Sequence, residues 1–212
     1  MISGLTWLTT SCPSRRRRNN VSNLQELLGE LLSGDESRAE NAVPALIEFG
    51  EDAIPALMDL TRSPDVDSRW WAIRTLAQAP LLRTEWLIPF LLNDSAPEVR
   101  QCAALGLGTQ ADESAIQPLV QALSDADSMV GNLAMHALVK IGQASVPALI
   151  ECVKNRSQSA RILALRALAE IKDHRAIPVM MQVMDEESVL LQHWAKTGLE
   201  RLGLDMVYIK PV

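Results

Sequence analysis

The stretch that decides the fold covers residues 160–168 and reads Ala160-Arg161-Ile162-Leu163-Ala164-Leu165-Arg166-Ala167-Leu168. Its central residue, Ala164, belongs to a column of alanines that recur every 30 or 31 residues. The members of this column are Ala42, Ala72, Ala103, Ala134, Ala164 and Ala195. A period of this length is typical of repeat proteins, whose short units stack on one another.

Two further columns accompany the repeat alanines. Four residues after each alanine stands a leucine: Leu46, Leu76, Leu107, Leu138, Leu168 and Leu199. The residue before each leucine is small: Ala45, Thr75, Gly106, Ala137, Ala167 and Gly198. Residues four apart lie on one face of a helix, and small side chains on that face let neighbouring helices approach closely. The columns therefore predict helices packed against their counterparts in adjacent repeats.

Each repeat is expected to contain two helices. In the second repeat, Asp52 is the expected N-cap, and Pro55 falls in the first turn, where backbone amides have no helical acceptor. The corresponding prolines are Pro55, Pro89, Pro118, Pro147 and Pro178. The second helix is predicted over residues 66–78, and Pro44 is expected to kink or shorten its counterpart in the first repeat. The chain is thus predicted to be an all-α solenoid of six antiparallel helix pairs.

Polar residues mark the two ends of the array. The position before the repeat alanine is apolar in later repeats but is Asn41 in the first, and the position after it is Lys196 in the last. Terminal repeats need a polar outer face, so six units are expected to form the whole array. We expect residues 1–20 to form a disordered basic leader, 21–203 the solenoid, and 204–212 a C-terminal tail against the last repeat.

The amino-acid composition argues against some classes of binding partner. Four of the 20 basic residues form the run 15–18, which leaves 16 against 26 acidic residues and argues against general nucleic-acid binding. The apolar start, residues 1–8, is too short to cross a bilayer, so no membrane attachment is expected. Cys12, Cys102 and Cys152 have no C-x-x-C spacing, which favours a reducing compartment. We expect a cytoplasmic monomer.

With the repeats aligned in this way, the chain resembles the short HEAT-like repeat proteins, a type also found in phycobilisome lyases. The resemblance covers about residues 22–203 and rests on the 160–168 stretch, on Val99-Arg100-Gln101-Cys102-Ala103-Ala104-Leu105-Gly106, and on Ser145-Val146-Pro147-Ala148-Leu149. It implies a right-handed superhelix whose second helices line the concave side.

Some proteins of this broad family are enzymes. Deoxyhypusine hydroxylases resemble the architecture but carry His-Glu pairs that bind two irons, whereas His136, His174 and His193 are followed by Ala137, Arg175 and Trp194. No metal or other cofactor is therefore expected. No nucleophile motif or glycine-rich phosphate loop occurs, so no catalytic residue is assigned. Bilin lyases leave no short motif that could be tested in the same way.

An arginine stands three residues before the repeat alanine in three repeats: Arg69, Arg100 and Arg161. Such a row could bind a carboxylate-rich or phosphorylated ligand. The alternative is a structural ladder, in which each arginine pairs with a turn acid such as Asp65, Asp94 or Asp127. We favour the ladder because the arginines follow the repeat spacing.

A second row combines the positions two before and two after each repeat alanine, which share one helix face. These positions vary in character while their neighbours stay apolar, so they are expected to point away from the core. The predicted partner-binding patch on the concave face is Trp70, Arg74, Leu105, His136, Ile162 and Arg166. The alternative is a solvated face with an incidental tryptophan.

Two functions from different classes are compatible with this patch. The leading expectation is a non-catalytic scaffold whose concave face binds another protein, because a mixture of Trp, Arg and aliphatic residues is typical of binding anchors. The alternative is a bilin lyase or isomerase that acts on phycobiliprotein chromophores.

Overall fold

The computed structural model describes residues 23–80 and 83–204, which contain twelve α-helices and no strand. The predicted leader (1–20) and all of the predicted tail except Leu204 lie outside the described residues. The helices, in chain order, are α1 (23–31), α2 (Glu36–Glu48), α3 (Ile54–Leu60), α4 (Val66–Gln78), α5 (Thr84–Asn93), α6 (Pro97–Gln110), α7 (Ile116–Ala122), α8 (Ser128–Ile141), α9 (Val146–Asn155), α10 (Gln158–Ile171), α11 (Ile177–Met184) and α12 (Val189–Arg201).

The twelve helices form six successive pairs, and each repeat alanine lies on the second helix of its pair. All six repeat alanines and all six column leucines are buried. From α4 to α12 each second helix packs directly on the next one, while the first helices contact each other less extensively. The second helices therefore form the tighter layer of the stack, and the predicted all-α solenoid is confirmed.

The small-residue column lies where second helices approach most closely. A Cβ atom at Gly106 would stand 2.7 Å from the Cβ of Ala77 on α4 and 2.7 Å from Cδ1 of Leu87 on α5. One junction further along, a Cβ at Gly108 would stand 3.0 Å from the Cβ of Ala137 on α8. These distances leave no room for larger side chains, as the column predicted.

One local expectation is wrong, and a second is wrong as to the length of the helix. Asp52 does not cap α3: residues Gly50–Asp52 form a 3-10 helix, and α3 begins after Ala53 without a side-chain cap. Pro44 does not shorten α2, which continues to Glu48. The Pro44 ring is exposed, so the one hydrogen bond that it removes lies where water can replace it.

Other aspartates act as N-caps. Asp35, Asp65 and Asp127 accept hydrogen bonds from backbone amides in the first turns of α2, α4 and α8. An acidic side chain at this place also interacts favourably with the helix dipole. Three of the six second helices therefore begin at a residue whose side chain defines their start.

The junctions between successive second helices are not equally tight, and the loosest lies between α2 and α4. The buried apolar residues also form two clusters that meet within α4, with Ile73 in the larger one and Leu76 in the smaller one. The first two repeats thus have a core of their own.

One described stretch, residues 128–155, is apolar and long enough by composition to cross a membrane. It consists of α8, the 3-10 helix Gly142–Ser145 and α9, and it is interrupted at Gly142, whose φ is 78°. Its fully buried residues include Val130, Leu138 and Leu149, which belong to the solenoid core. The apolar composition of this stretch is therefore explained by repeat packing.

Three of the ion pairs between successive repeats come from the arginines three residues before the repeat alanine. Arg69 donates two hydrogen bonds to the carboxylate of Asp94, each 2.9 Å long, and Arg100 binds Asp125 in the same forked manner at 2.9 and 2.8 Å. Arg161 pairs with Glu186. Although burial alone would raise it, hydrogen bonds from Arg69 and the Ala96 amide hold the pKa of Asp94 below its usual value. The structural ladder is confirmed, with only Asp94 among the three named acids as a partner.

Each ladder arginine also satisfies backbone carbonyls of its own repeat. Nη1 of Arg69 donates to the carbonyls of Ser63 and Pro64, in the turn before α4. In the last repeat Gln192 replaces the arginine and donates to the carbonyls of Met184 and Glu186. In the fourth repeat the position is Gly131, so the ladder has one gap.

Two glycine-to-alanine substitutions should distinguish the cost of overpacking from the gain in helix propensity, both measured as changes in the free energy of unfolding. Gly106→Ala is expected to lower the free energy of unfolding by about 1–3 kcal/mol, because the Ala77 Cβ is fixed to its backbone and cannot move aside. Gly29→Ala, in exposed α1 with nothing within 4 Å, should raise it by up to about 1 kcal/mol. Urea denaturation of both variants measures the difference, and a gain in both would mean that the column is not tightly packed.

The ladder should contribute more than an exposed ion pair. Arg100→Gln leaves Asp125 without its partner, and we expect a loss of about 2 kcal/mol, below the value for a fully buried pair. Arg62→Gln removes an exposed pair with Asp59 and should cost less than about 0.5 kcal/mol. Equal urea midpoints for the two variants would show that the ladder does not stabilise the stack.

Candidate functional site

The six predicted patch residues lie on four consecutive second helices: α4 carries Trp70 and Arg74, α6 Leu105, α8 His136, and α10 Ile162 and Arg166. None of them is buried. Leu105 has 49% of its surface exposed and His136 is exposed, whereas the other four are half-buried. The structure gathers these side chains into two groups at the ends of the row, with Leu105 and His136 between them.

At the N-terminal end, Arg74 is surrounded by two tryptophans and an acid. Its guanidinium carbon lies 5.3 Å from the ring centre of Trp70 and 6.0 Å from that of Trp71. Its Nη2 donates a 2.5 Å hydrogen bond to Glu40 of the preceding repeat. The two indole rings meet edge to face with centres 4.8 Å apart. We call Glu40, Trp70, Trp71 and Arg74 the Trp70 cluster.

An open groove of about 380 Å³ lies beside the Trp70 cluster. Trp70, Trp71, Leu31 and Leu32 supply its apolar wall. Its acidic side chains are Glu36, Asp65 and Asp67. This end of the surface is therefore aromatic and negatively charged.

At the C-terminal end, Arg166 has a similar arrangement with different partners. Its Nη1 donates a 3.1 Å hydrogen bond to Oδ1 of Asn132, and its guanidinium carbon lies 5.2 Å from the ring centre of Trp194. His193 contacts Trp194 edge to face, with ring centres 5.3 Å apart. We call Asn132, Arg166, His193 and Trp194 the Arg166 cluster. Because Asn132 is neutral, its hydrogen bond to Arg166 does not compensate the positive charge of Arg166.

The sequence pattern missed the supporting residues of both clusters. Trp71 and Trp194 stand in the apolar column before the repeat alanine, and both are half-buried, pack against the core and also contact arginines. Glu40 and Asn132 each precede their arginine by 34 residues, at the same position of the preceding repeat. That constant offset between neighbouring repeats is the signal that could have identified them.

Neither described cysteine is suited to nucleophilic chemistry. Burial raises the pKa of the Cys102 thiol to about 12 and that of Cys152 to about 11, and only the thiolate is reactive. Cys12 lies outside the described residues. Within residues 23–80 and 83–204, no group of three or more His, Cys, Asp or Glu side chains is arranged to hold a metal ion.

Comparison with known families identifies the repeat type. Residues 84–159 match the family model for HEAT repeats, and residues 160–186 match the model for the PBS lyase HEAT-like repeat. Together the two matches cover the third repeat to the start of the sixth.

Individual proteins give a consistent picture. The chain is 27% identical over 167 residues to the uncharacterised phycocyanin operon protein Z of Pseudanabaena tenuis (strain PCC 7409), covering 74% of this chain and 83% of that protein. A chain in the complex of CpcE and CpcF of phycocyanin lyase from Nostoc sp. PCC7120 aligns with a TM-score of 0.55 and 26% identity, over 69% of this chain and 98% of that one. Human deoxyhypusine hydroxylase aligns with a TM-score of 0.50 and 15% identity, over 86% and 74% of the two chains, and shows the fold alone.

These comparisons contradict the leading functional expectation. A non-catalytic scaffold was favoured because no short catalytic motif is present, but a chain matched over almost its whole length belongs to an enzyme, phycocyanin lyase. The absence of a motif is uninformative where side chains from several stacked helices form one surface. The scaffold interpretation is therefore wrong as the main one. The family-model matches support a HEAT-repeat protein of the phycobilisome-lyase type.

Proposed function

We propose that the chain takes part in a lyase-type or isomerase-type reaction on the bilin chromophore of a phycobiliprotein, together with a second protein chain. The observation that carries this proposal is the match to 98% of a chain from the phycocyanin lyase complex. The operon relative and the PBS lyase HEAT-like repeat add support. We place the reaction in the cytoplasm.

A bilin makes three demands on a binding surface. It is a long conjugated tetrapyrrole with carboxylate side chains, so it needs flat apolar contacts and cationic groups. A lyase also adds a group across a double bond or removes one, so it has to transfer a proton. The surface from α4 to α10 has residues for each requirement.

We assign the apolar contacts to Leu105 and Ile162, which lie on this surface on α6 and α10. Arg74 and Arg166 are its cationic groups, each held in place by a tryptophan and by the preceding repeat. His136 lies exposed between the two arginines on α8, and histidine is the side chain most often used for proton transfer near neutral pH. We assign to His136 the role of transferring this proton.

The proposal of a partner protein rests on the fact that the similar chain was crystallised in a two-protein complex. CpcE and CpcF are crystallised as a complex, and this chain matches one of its chains over nearly its full length. The matched part, 69% of this chain, corresponds to one subunit of a two-chain enzyme. We propose that one copy of the chain pairs with one different HEAT-repeat chain and presents the bilin to the phycobiliprotein.

The reaction can be tested with purified components. The full chain, with a candidate second HEAT-repeat chain encoded near it, is mixed with free bilin and the phycobiliprotein without chromophore. We expect a covalently coloured phycobiliprotein, detected by absorbance and by bilin fluorescence after a denaturing gel. His136→Gln should lower the rate by about a hundredfold or more.

The matched control is His174→Gln, which changes an exposed histidine on the 3-10 helix His174–Ala176. Its rate should equal that of the wild type. A product that forms equally fast without the chain would contradict the proposed function. Equal rates for the two histidine variants would contradict the role of His136 alone.

A further inference from the structure

The surface formed by the second helices changes charge along its length. Apart from the ladder arginines, α2, α4 and α6 carry five acidic and two basic side chains: Glu36, Glu40, Glu48, Asp67 and Glu98 against Arg38 and Arg74. Apart from Arg161, α8, α10 and α12 carry two acidic and four basic side chains: Glu170 and Glu200 against Lys140, Arg166, Lys196 and Arg201. Counted over whole helices, the first three second helices are therefore net negative and the last three net positive.

The two arginine clusters differ in the same sense. Arg74 and Arg166 have matching positions in their repeats and matching bonds to the preceding repeat, but Arg74 contacts two tryptophans of its own helix and Arg166 contacts Trp194 of the next repeat. The carboxylate of Glu40 neutralises Arg74, whereas the amide of Asn132 leaves the charge of Arg166 uncompensated. The guanidinium of Arg166 thus hydrogen-bonds an amide oxygen at the place where that of Arg74 hydrogen-bonds a carboxylate.

One bilin cannot use both arginines for its carboxylates. Arg74 and Arg166 lie on second helices that are three repeats apart, and neighbouring packed helices are about 8–10 Å apart, so the clusters are separated by roughly 25–30 Å. The propionates of a tetrapyrrole are attached to adjacent rings and lie close together. Both propionates therefore have to bind at the same end of the surface.

We infer that the propionate carboxylates of the bilin bind at the Arg166 cluster and not at the Trp70 cluster. This inference rests on the proposed function. The guanidinium of Arg166 has N–H groups left after its bond to Asn132, and a planar fork of donors fits a carboxylate. Trp194 and His193 offer flat faces beside it for the conjugated rings.

The charged neighbours favour this assignment. Lys140 and Arg201 are exposed on the flanking helices α8 and α12. Glu170 is the acid on α10 itself, one helical turn after Arg166. At the opposite end, a carboxylate would face Glu36, Glu40, Asp65 and Asp67, whose combined charge repels it.

The test compares two ligands on matched variants of the full chain. Phycocyanobilin and its propionate dimethyl ester are titrated into the protein, and binding is followed by the shift in visible absorbance and by induced circular dichroism. We expect the wild type to bind the free acid about tenfold or more tightly than the diester. Arg166→Gln should remove that preference, and Arg166→Lys should keep part of it.

Arg62→Gln serves as the control, because Arg62 is an exposed arginine on the turn after α3. Its preference for the free acid should match that of the wild type. If Arg166→Gln keeps the wild-type preference, the inference fails while the proposed function stands. If the wild type binds the free acid and the diester equally tightly, the inference fails whatever the variants do. If it binds neither, with or without the second chain, both fail.

Discussion

The close approach of consecutive second helices is the constraint on which the rest of the structure depends. It is set by small side chains in the repeat columns: Gly106 faces Ala77 across the α4–α6 junction, and Gly108 faces Ala137 across the α6–α8 junction. In the last repeat a Cβ at Gly198 would meet Met180 and Ala169. A larger residue at any of these places would push the neighbouring helices apart, because a packed interior has no spare volume. The spacing of Arg74 from Glu40, and of Arg166 from Asn132, follows from this approach.

Much of the fold could be predicted from the sequence, because stacking imposes one environment on equivalent positions. The alanine column identified the second helices, and α4 has the predicted bounds. The start of α3 could not be predicted in the same way. A 3-10 helix at residues 50–52 competes with capping by Asp52, and short local alternatives of similar energy are not distinguished by periodicity.

The candidate site was predictable only in part. Helical phase placed Trp70, Arg74, Leu105, His136, Ile162 and Arg166 on the unburied side of their helices, as the structure has them. It could not show that Trp71 and Trp194 contact arginines, because residues at the boundary between core and surface orient according to the neighbouring repeat. The proposed reaction has no short motif in the sequence, because the residues assigned to it come from separate helices.

The loose junction between α2 and α4 has a consequence for how the array opens. The stability of a linear array is a sum over repeats and their nearest-neighbour interfaces, so fraying begins where an interface at an end is weakest. Here that end is the first repeat, where the Glu40–Arg74 bond crosses the weak interface. Amide protons of α1 and α2 should exchange with solvent sooner than those of α6 to α10. A positively charged segment that takes Glu40 away from Arg74 would speed this local unfolding.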